Sequence, residues 1–527
     1  MPSIPVEWKI LTAFEPSFIL EYKSRHSALY ELFSSSMSKS SPFSITPYIS
    51  PSEAILKISK PCLDSISYIS WFACARSIPL HWKTLIILLS SISSSFLSED
   101  ARLKFVRENP EAVKENIKKK FQDDKLPLVD EVIKIDEDLR AAKTKGDNLR
   151  AEKNQTSKKI GGFMQKGEKD KAEEAKKKVA EINEEITNLE ADERDLAEEL
   201  KKRMQVIPQM MDETVPIGKD DSENVELERF GEPVIPDFEV PYHIDIMESF
   251  NGIDLDSARN TSGAGFYYLK GDIARLHSAI LAYARDFMID RGFEYHIPPF
   301  MIRSDVVTGV MSFAEMENMM YKIEGEDLYL IGTSEHSMIG KFINTINPEE
   351  DMPLALTSYS PCFRKEVGAH GIEERGVYRI HQFEKQEMVV ICKPEESKDW
   401  YVKLWQNTVD FFRSLDIPVR TLECCSGDLA DLKVKSLDVE AFSPRQNKYF
   451  EVGSCSNLGD AQARRLNIKL RGKDGTYFAH TLNNTVVAPP RMLIAFLENL
   501  LQEDGSVRIP EPLQMYMGGM TKLTPKK

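Results

Sequence analysis

Two heptad repeats constrain the fold of this chain more than any other feature of its sequence. Residues that are apolar or small, with the exceptions of Lys153 and Glu193, recur at alternating intervals of three and four over residues 132–160 and again over 172–200. Stripes with this spacing are typical of helices that pack along one another. Gly161-Gly162 and Gly167 lie between them and indicate where the chain reverses. We therefore predict an antiparallel coiled-coil hairpin, about 60 Å long at 1.5 Å per residue.

Charge is distributed unevenly along this hairpin. Residues 140–178 contain 13 basic and 6 acidic side chains, whereas residues 179–200 contain 1 basic and 9 acidic. A plain solvated coiled coil would intersperse the two signs. A basic segment on a chain of net charge −15 indicates local binding to a polyanion, with RNA read by shape through its backbone. A purely structural or dimerising hairpin is the alternative.

The first 98 residues differ in composition from the rest. They contain 24 serines, no glycine and only 14 charged residues, without a sustained period. No run reaches 18 apolar residues and no clear signal peptide is present, so we predict no membrane span. We expect residues 1–100 to be a poorly ordered or spurious extension, with an appended domain or a targeting segment as alternatives. Seven cysteines, with no C-x-x-C pair, favour a reducing cytoplasm and no zinc site.

Residues 211–527 mix short apolar or alternating runs with two helical stretches. We predict strands over 328–331, 377–380, 388–392, 448–452 and 479–482, and helices over 272–290 and 491–501. The pattern predicts an α+β fold: an antiparallel β-sheet catalytic domain flanked by helices, preceded by the antiparallel α-helical coiled-coil hairpin. The predicted domains are 1–100, 101–210 and 211–527.

Paired arginines and glutamates carry the chemistry of this last segment. They are Arg364 and Glu366 in Phe-Arg-Lys-Glu, and Arg379 and Glu384 in Arg-Ile-His-Gln-Phe-Glu after Arg375. A guanidinium is a fixed fork of donors that suits a phosphate or a carboxylate. Each pair taken alone is more often a surface ion pair, so the combination decides the interpretation.

That combination resembles motif 2 of the class II aminoacyl-tRNA synthetases. Residues 292–299 resemble motif 1 and residues 482–491 resemble motif 3, in the expected order. Thr333-Ser334-Glu335, the run 383–387 (Phe-Glu-Lys-Gln-Glu) and the run 451–457 (Glu-Val-Gly-Ser-Cys-Ser-Asn) narrow the resemblance to the seryl-tRNA synthetase family of the common bacterial type. It extends from about residue 103 almost to the carboxyl terminus.

The resemblance implies a cytoplasmic homodimeric ligase without a membrane segment. Its activity would be to activate L-serine with ATP to seryl-adenylate and to transfer serine to the 3′ end of tRNA(Ser), and also to tRNA(Sec). The basic hairpin would reach the long variable arm of tRNA held by the other subunit. The alternatives are a synthetase-like paralogue and another class II synthetase that uses a different acceptor or amino acid.

The resemblance also implies roles for individual residues. The catalytic residues would be Arg364, Glu366 and Arg491. Serine would be bound by Thr333, Ser334, Glu335, Arg364, Glu387 and Thr485. ATP would be bound by Arg364, Lys365, Glu366, Ile380, His381, Gln382, Phe383, Glu451, Val452, Gly453, Ser454 and Arg491. Mg²⁺ would be held by Glu451 and Ser454. The tRNA would be bound by Lys143, Arg150, Lys153, Lys158, Lys159 and Lys176.

Overall fold

The computed structural model describes residues 102–366 and 376–526, and three short strands nearer the amino terminus. Those strands, β1 (Phe18–Tyr22), β2 (Thr46–Ser50) and β3 (Glu53–Ile58), pair antiparallel in the order β1-β3-β2. The rest of the predicted extension and the loop 370–375 lie outside the described residues. The chain divides into two compact units, one containing Ile133–Lys201 and one containing Ser98–Val132 with Lys202–Lys527.

Three helices account for the heptad region and the residues before it. They are α1 (Pro110–Lys119), α2 (Leu126–Gln165) and α3 (Lys169–Val206). Ion pairs Lys145–Glu185 and Glu152–Lys178, at 2.7 and 2.6 Å, show that α2 and α3 run antiparallel. Every position of the two stripes is buried or half-buried, because the stripes are the faces that meet. The two long helices are thus confirmed, and their supercoil stays a prediction.

The reversal between these helices lies at the last of the three glycines that the sequence indicated. Helix α2 continues through Gly161 and Gly162 to Gln165, and the chain turns at Gly167, whose φ of 75° is left-handed. A glycine inside a helix costs about 1 kcal/mol relative to alanine, which a helix of 40 residues tolerates. Of these three glycines, only Gly167 adopts a conformation that other residues avoid.

An eight-stranded sheet forms the centre of the second unit. Its strands are β4 (Val225–Phe230), β7 (Glu294–His296), β11 (Leu354–Phe363), β12 (Gln382–Cys392), β13 (Val419–Glu423), β14 (Lys435–Ser443), β15 (Lys448–Gly459) and β18 (His480–Val487). Their order in the sheet is β4-β13-β14-β15-β18-β12-β11-β7, antiparallel except for the β7/β11 pair. This arrangement confirms the predicted α+β class and antiparallel sheet.

Ten further helices and nine short strands accompany this sheet in the part of the chain that the structure describes. The remaining helices are α4 (His243–Ser249), α5 (Leu255–Ser262), α6 (Gly271–Asp290), α7 (Ser304–Val310), α8 (Phe313–Met319), α9 (Ser334–Gly340), α10 (Ser397–Ser414), α11 (Ala461–Leu466), α12 (Pro489–Leu500) and α13 (Glu511–Gln514). The remaining strands are β5 (Ile253–Asp254), β6 (Tyr268–Leu269), β8 (Met301–Ile302), β9 (Tyr329–Leu330), β10 (Ile346–Pro348), β16 (Lys469–Gly472), β17 (Gly475–Phe478), β19 (Val507–Arg508) and β20 (Lys522–Leu523).

Strand β12 shows how the sheet divides its two faces. Met388 and Val390 belong to the larger core with α6, α10 and α12, whereas Val389 and Ile391 belong to a second core on the opposite face. Because side chains alternate along a strand, Lys385 and the other odd-numbered residues share the face of the second core. Both faces are therefore covered, and the amino-terminal half of β12 is left to line a cavity.

One predicted strand is wrong. Residues 377–380 form a turn that leads into β12, although Val377 and Ile380 are buried. The spacing of the apolar residues correctly indicated that they are buried, but not that the backbone is extended. Gly376, with a φ of 77°, lets the backbone turn there. Within the described residues, no helix is long and apolar enough to cross a membrane.

Candidate active site

A cavity of about 450 Å³ opens on the sheet face of the second unit. Strands β12, β15 and β18, the first residues of α9 and α12, and the loop before β14 contribute its walls. It brings together residues that are far apart in sequence. Of the residues predicted for serine, ATP and metal, the lining contains Thr333, Glu335, Arg364, Glu366, Ile380, Phe383, Glu387, Glu451, Val452, Gly453, Ser454, Thr485 and Arg491.

Four of the predicted residues lie outside this lining. Ser334 is buried, and its Oγ accepts a hydrogen bond from Ser358 at 2.8 Å. Lys365 donates from Nζ to a backbone carbonyl at 3.3 Å, and Gln382 is exposed. Nδ1 of His381 lies 2.9 Å from the carbonyl oxygen of Arg364. These four residues are neighbours in sequence of residues that line the cavity. His381 contacts the backbone of Arg364, whose side chain lines it.

One end of the cavity is built around Glu387, whose side chain is 2% exposed. Its Oε2 forms an ion pair with Nζ of Lys385 and accepts a hydrogen bond from Thr333 Oγ1 at 3.3 Å. Thr485 faces Glu387 across the β12/β18 register. Buried carboxylates need such partners, because an unpaired buried charge costs several kcal/mol. The result is a small polar pocket with a fixed carboxylate.

A second carboxylate, Glu335, stands at the amino terminus of α9 beside this pocket. Its Oε1 accepts a hydrogen bond from Gln462 Nε2 at 2.7 Å. Burial, and then the negative charge of Glu387, raise the pKa of Glu335 to about 7. Burial also lowers the pKa of the neighbouring His336 to about 3, so that imidazole is neutral. Glu335 is poised to gain a full negative charge when a cation binds next to it.

The opposite end is lined by arginines. Arg364 donates from Nε to the Gly332 carbonyl at 3.1 Å, and its guanidinium lies 5.2 Å from the ring centroid of Phe383. Glu366 is held by Arg379 at 3.2 Å. These contacts orient a charged fork, an aromatic face and a carboxylate acceptor toward one space, which suits a nucleotide.

Arg491, at the start of α12, is held by one residue of β15. Its Nη1 donates to the carbonyl of Glu451 at 3.0 Å and pairs with the Glu451 carboxylate at 2.9 Å. Its guanidinium also lies 4.9 Å from the ring centroid of Tyr378. Burial would raise the pKa of Glu451, but the charge of Arg491 outweighs it and the pKa lies below its ordinary value. Glu451 is therefore ionised at neutral pH.

Oxygen ligands cluster beside Glu451. Ser454 lies on the same strand, and Asp438 faces Ser454 across the β14/β15 register. Burial, followed by the negative charge of Glu451, raises the pKa of Asp438 to about 6. Carboxylate and hydroxyl oxygens are the ligands that Mg²⁺ prefers, so Glu451 and Ser454 fit a hard divalent cation. Asp438 is a third oxygen donor that the sequence did not point to.

The predicted tRNA-binding residues lie on α2 and α3. Lys143, Lys158, Lys159 and Lys176 are exposed, and Lys176 pairs with Glu173 at 2.6 Å. Arg150 differs, because its guanidinium pairs with Glu190 at 2.9 Å on the other helix and its side chain is only 17% exposed. Arg150 therefore joins the two helices, and Lys153 is half-buried.

Two family models match the chain: the seryl-tRNA synthetase N-terminal domain over residues 102–211, and the tRNA synthetase class II core domain (G, H, P, S and T) over 319–500. The serine–tRNA ligase of Methanocella arvoryzae is 39% identical over 424 residues, covering 80% of this chain and 99% of that protein. The chain belongs to the seryl-tRNA synthetase family.

Solved structures of this family agree with the fold. The crystal structure of seryl-tRNA synthetase from Pyrococcus horikoshii complexed with ATP matches with a TM-score of 0.76 at 38% identity, over 80% of this chain and 99% of that chain. The cytoplasmic serine–tRNA ligase of Naegleria fowleri in complex with AMP matches with a TM-score of 0.70 at 32% identity, over 80% and 96%. The resemblance stated from the motifs is confirmed.

The sequence analysis did not assign a role to several residues of this site. Lys385 lies in the run 383–387 and lines the cavity, but only its ion pair with Glu387 reveals what it does. Gln462 lies behind the cavity lining and bonds Glu335. Tyr378, within motif 2, and Lys433 also line the cavity, and no sequence pattern pointed to Lys433.

Proposed function

We propose that the cavity carries out both half-reactions of a serine–tRNA ligase. A carboxylate oxygen of serine attacks the α-phosphorus of ATP, the bond to the β-phosphate breaks, and pyrophosphate leaves with the electron pair. The 3′-terminal ribose hydroxyl of tRNA(Ser) then displaces AMP from seryl-adenylate. The observation that carries this proposal is one cavity with paired carboxylates at one end and Arg364 and Arg491 at the other.

The carboxylate end suits serine. Glu335 and Thr333 would receive the ammonium group, and Glu387 and Thr485 the hydroxyl, with Ser334 supporting the wall. Alanine lacks the hydroxyl and would leave buried polar groups without a partner, which penalises its binding strongly. Threonine would be excluded by size, which is the weaker filter.

The arginine end suits ATP. Arg364 would bridge the α-phosphate and the serine carboxylate, and Arg491 would hold the γ-phosphate. Glu366 would accept a hydrogen bond from the adenine amino group, with Phe383 against the ring. Backbone groups of 380–383 and 451–453 would surround the base and ribose, and Lys365, His381 and Gln382 flank them. Displacement at phosphorus depends on such positioning and charge neutralisation.

Glu451 and Ser454 would hold Mg²⁺. The ionised Glu451 carboxylate and the neighbouring hydroxyl are its preferred oxygen ligands. The ion, when bound, neutralises charge on the phosphate oxygens. The protein's own contribution is to keep Arg491 and Glu451 in contact, so that cation and carboxylate are aligned before ATP binds.

The pair of long helices would bind the tRNA. Lys143, Lys158, Lys159 and Lys176 offer exposed cations within the basic segment, and Lys153 and Arg150 add half-buried ones. Family membership supports a cytoplasmic homodimer as the working form, and tRNA(Sec) as a second acceptor. These are proposals about partners, separate from the ligase chemistry.

Serine-dependent exchange between ATP and labelled pyrophosphate tests the first half-reaction in the full chain. We expect exchange with serine, far less with alanine or threonine, and none after removal of divalent cations. Charging of tRNA(Ser) and tRNA(Sec) transcripts tests the second half-reaction. Exchange that depends on a different amino acid, or none with any, would overturn the proposal.

A further inference from the structure

The cationic side chains of the cavity differ in how they are neutralised. Among its described lining residues, the cations are Arg364, Arg379, Lys385, Lys433 and Arg491. Three of them pair with carboxylates at 3.2 Å or less: Arg379 with Glu366, Lys385 with Glu387 and Arg491 with Glu451. The other two are Arg364, which the proposed function assigns to phosphate, and Lys433. In the part of the chain that the structure describes, neither has a carboxylate oxygen within 4.0 Å.

Among the described residues, the recorded hydrogen bonds of Lys433 Nζ go to two hydroxyl groups. It donates to Ser436 Oγ at 3.1 Å and to Ser454 Oγ at 3.5 Å. The charge of Lys433 also acts on the carboxylates of Asp438 and Glu451 from a longer distance. The half-buried ammonium therefore has no direct ion pair with a described carboxylate and can still contact an anion that enters the cavity. Ser454 is the hydroxyl that the proposed function assigns to the metal. The Lys433 ammonium therefore lies beside the place where the phosphate oxygens of ATP would bind.

The loop that carries Lys433 is fixed before any ligand binds. The Asp431 carboxylate accepts from Gln122 Nε2 at 2.9 Å and pairs with Lys125 at 2.7 Å. Its carbonyl accepts from the Gln209 amide at 2.7 Å. Contacts from residues about 220 to 310 positions away therefore hold the loop in place. Donors set in advance stabilise a developing charge without reorganisation.

The backbone on the other side of Lys433 is also fixed. Its own amide donates to the Ala430 carbonyl at 3.0 Å, and the Val434 amide donates to the Asn457 carbonyl at 2.8 Å. Lys120, which is 1% exposed, donates from Nζ to the same Ala430 carbonyl at 3.2 Å. The backbone that carries Lys433 is thus held on both sides, and its Nζ is oriented by two serine hydroxyls.

We infer that Lys433 binds the pyrophosphate portion of ATP and neutralises the charge that develops there as pyrophosphate leaves. This inference rests on the proposed function and adds a catalytic residue to it. No proton is transferred: the ammonium stays protonated, and the electron pair of the broken bond stays on pyrophosphate. The competing role is structural, because Lys433 also links β14 to β15 through two serines.

Two substitutions separate these roles. Lys433→Met removes the charge at similar length, and Lys433→Arg keeps it. We expect Lys433→Met to lower kcat/KM for ATP in serine-dependent exchange by about 10- to 100-fold, the effect of losing a hydrogen bond to a charged group. KM for serine should change less than twofold, and Lys433→Arg should recover most of the activity.

Ligand binding locates the contact on ATP. Lys433→Met should weaken inhibition by inorganic pyrophosphate by a similar factor and leave the affinity for AMP unchanged, since AMP lacks the β- and γ-phosphates. The matched control is Lys435→Gln, two residues further along the chain. Nζ of Lys435 pairs with Glu423 at 3.0 Å, and Lys435 is not among the described residues that line the cavity. This control should leave kcat/KM for ATP unchanged.

Three results would overturn the inference: an unchanged kcat/KM for ATP in Lys433→Met, an equal loss of AMP binding, or no rescue by Lys433→Arg. A change in KM for serine of more than twofold in Lys433→Met, together with a lower thermal midpoint, would assign Lys433 a structural role instead. Absence of exchange in the unaltered protein would instead refute the proposed function, so the two failures are distinguishable.

Discussion

Gln462 donates a hydrogen bond from Nε2 to Glu335 Oε1 at 2.7 Å, and the orientation of its amide is fixed from the other side. Thr481 Oγ1 donates to Gln462 Oε1 at 2.7 Å, so the amide nitrogen must face Glu335. This bond lowers the pKa of Glu335, while burial and the charge of Glu387 raise it by more. The pKa of about 7 is thus the balance of burial and the charge of Glu387, which raise it, against Gln462, Lys385 and Lys433, which lower it.

Serine binding should depend on pH through Glu335. The pKa of Glu335 is about 7, and under the proposed function the ammonium of serine would bind its ionised form. KM for serine should therefore rise as the pH falls through 7, approaching tenfold per unit below it, and level off above pH 8. The measurement is KM for serine in the exchange reaction between pH 5.5 and 8.5, with KM for ATP as the reference. A flat profile would contradict this role of Glu335.

Removing the bond from Gln462 should shift that profile. Gln462→Met keeps the volume and loses the donor that lowers the pKa of Glu335. The pH at which KM for serine begins to rise should move upward. Glu335→Gln, which cannot ionise, should abolish the dependence and weaken serine binding at all pH values. A Gln462→Met profile identical to that of the unaltered protein would show that this hydrogen bond does not tune the site.

Lys385 and Glu387 should be strongly coupled in stability. Their side chains are 8% and 2% exposed, so removal of either leaves a buried charge unpaired. Lys385→Met should cost about 3–5 kcal/mol of unfolding free energy, and the double variant with Glu387→Gln should cost clearly less than the two single changes together. Urea unfolding of the four proteins measures the cycle. Additive losses would mean that the pair is not coupled.

Charge reversal on the long helices should affect tRNA alone. Lys158 and Lys159 are exposed on α2, and Lys158→Glu with Lys159→Glu replaces two cations in the basic segment. KM for tRNA(Ser) should rise at least tenfold at physiological salt, with ATP–pyrophosphate exchange unchanged. The matched control reverses Lys118 and Lys119, an exposed pair on α1. Equal effects of the two double variants would refute a specific role for the helix pair.

The three glycines at the tip of the hairpin should not all respond to alanine in the same direction. Gly161 and Gly162 are helical with open space around them, so each change to alanine should stabilise the helix by about 0.5–1 kcal/mol. Gly167→Ala should destabilise the turn by about 1 kcal/mol, because its φ is 75°. Amide hydrogen exchange across α2 and α3 measures both effects. Stabilisation by Gly167→Ala would mean that the turn lies elsewhere.

Local periodicity predicted a large part of this architecture. The stripe over 132–160 named the face of α2 that is buried, and the helix over 272–290 agrees with α6 to one residue. The prediction of a strand at 377–380 was wrong because a buried residue need not be in an extended segment: Val377 is buried in a turn. The reversal was predicted within residues 161–167 and lies at Gly167; Gly161 stays helical, because a glycine permits a turn without requiring one.

The sequence by itself determined the antiparallel helix pair, because spacing of three and four fixes which side chains share a face. Its motifs determined the family, and through that resemblance they named 13 of the residues that line the cavity. Only the tertiary structure decided which partners those residues have. Glu335 meets Gln462 from 127 positions away, and Asp431 meets Gln122 from 309 positions away. Burial, charge pairing and the pKa of Glu335 depend on these distant contacts, and no local pattern encodes them.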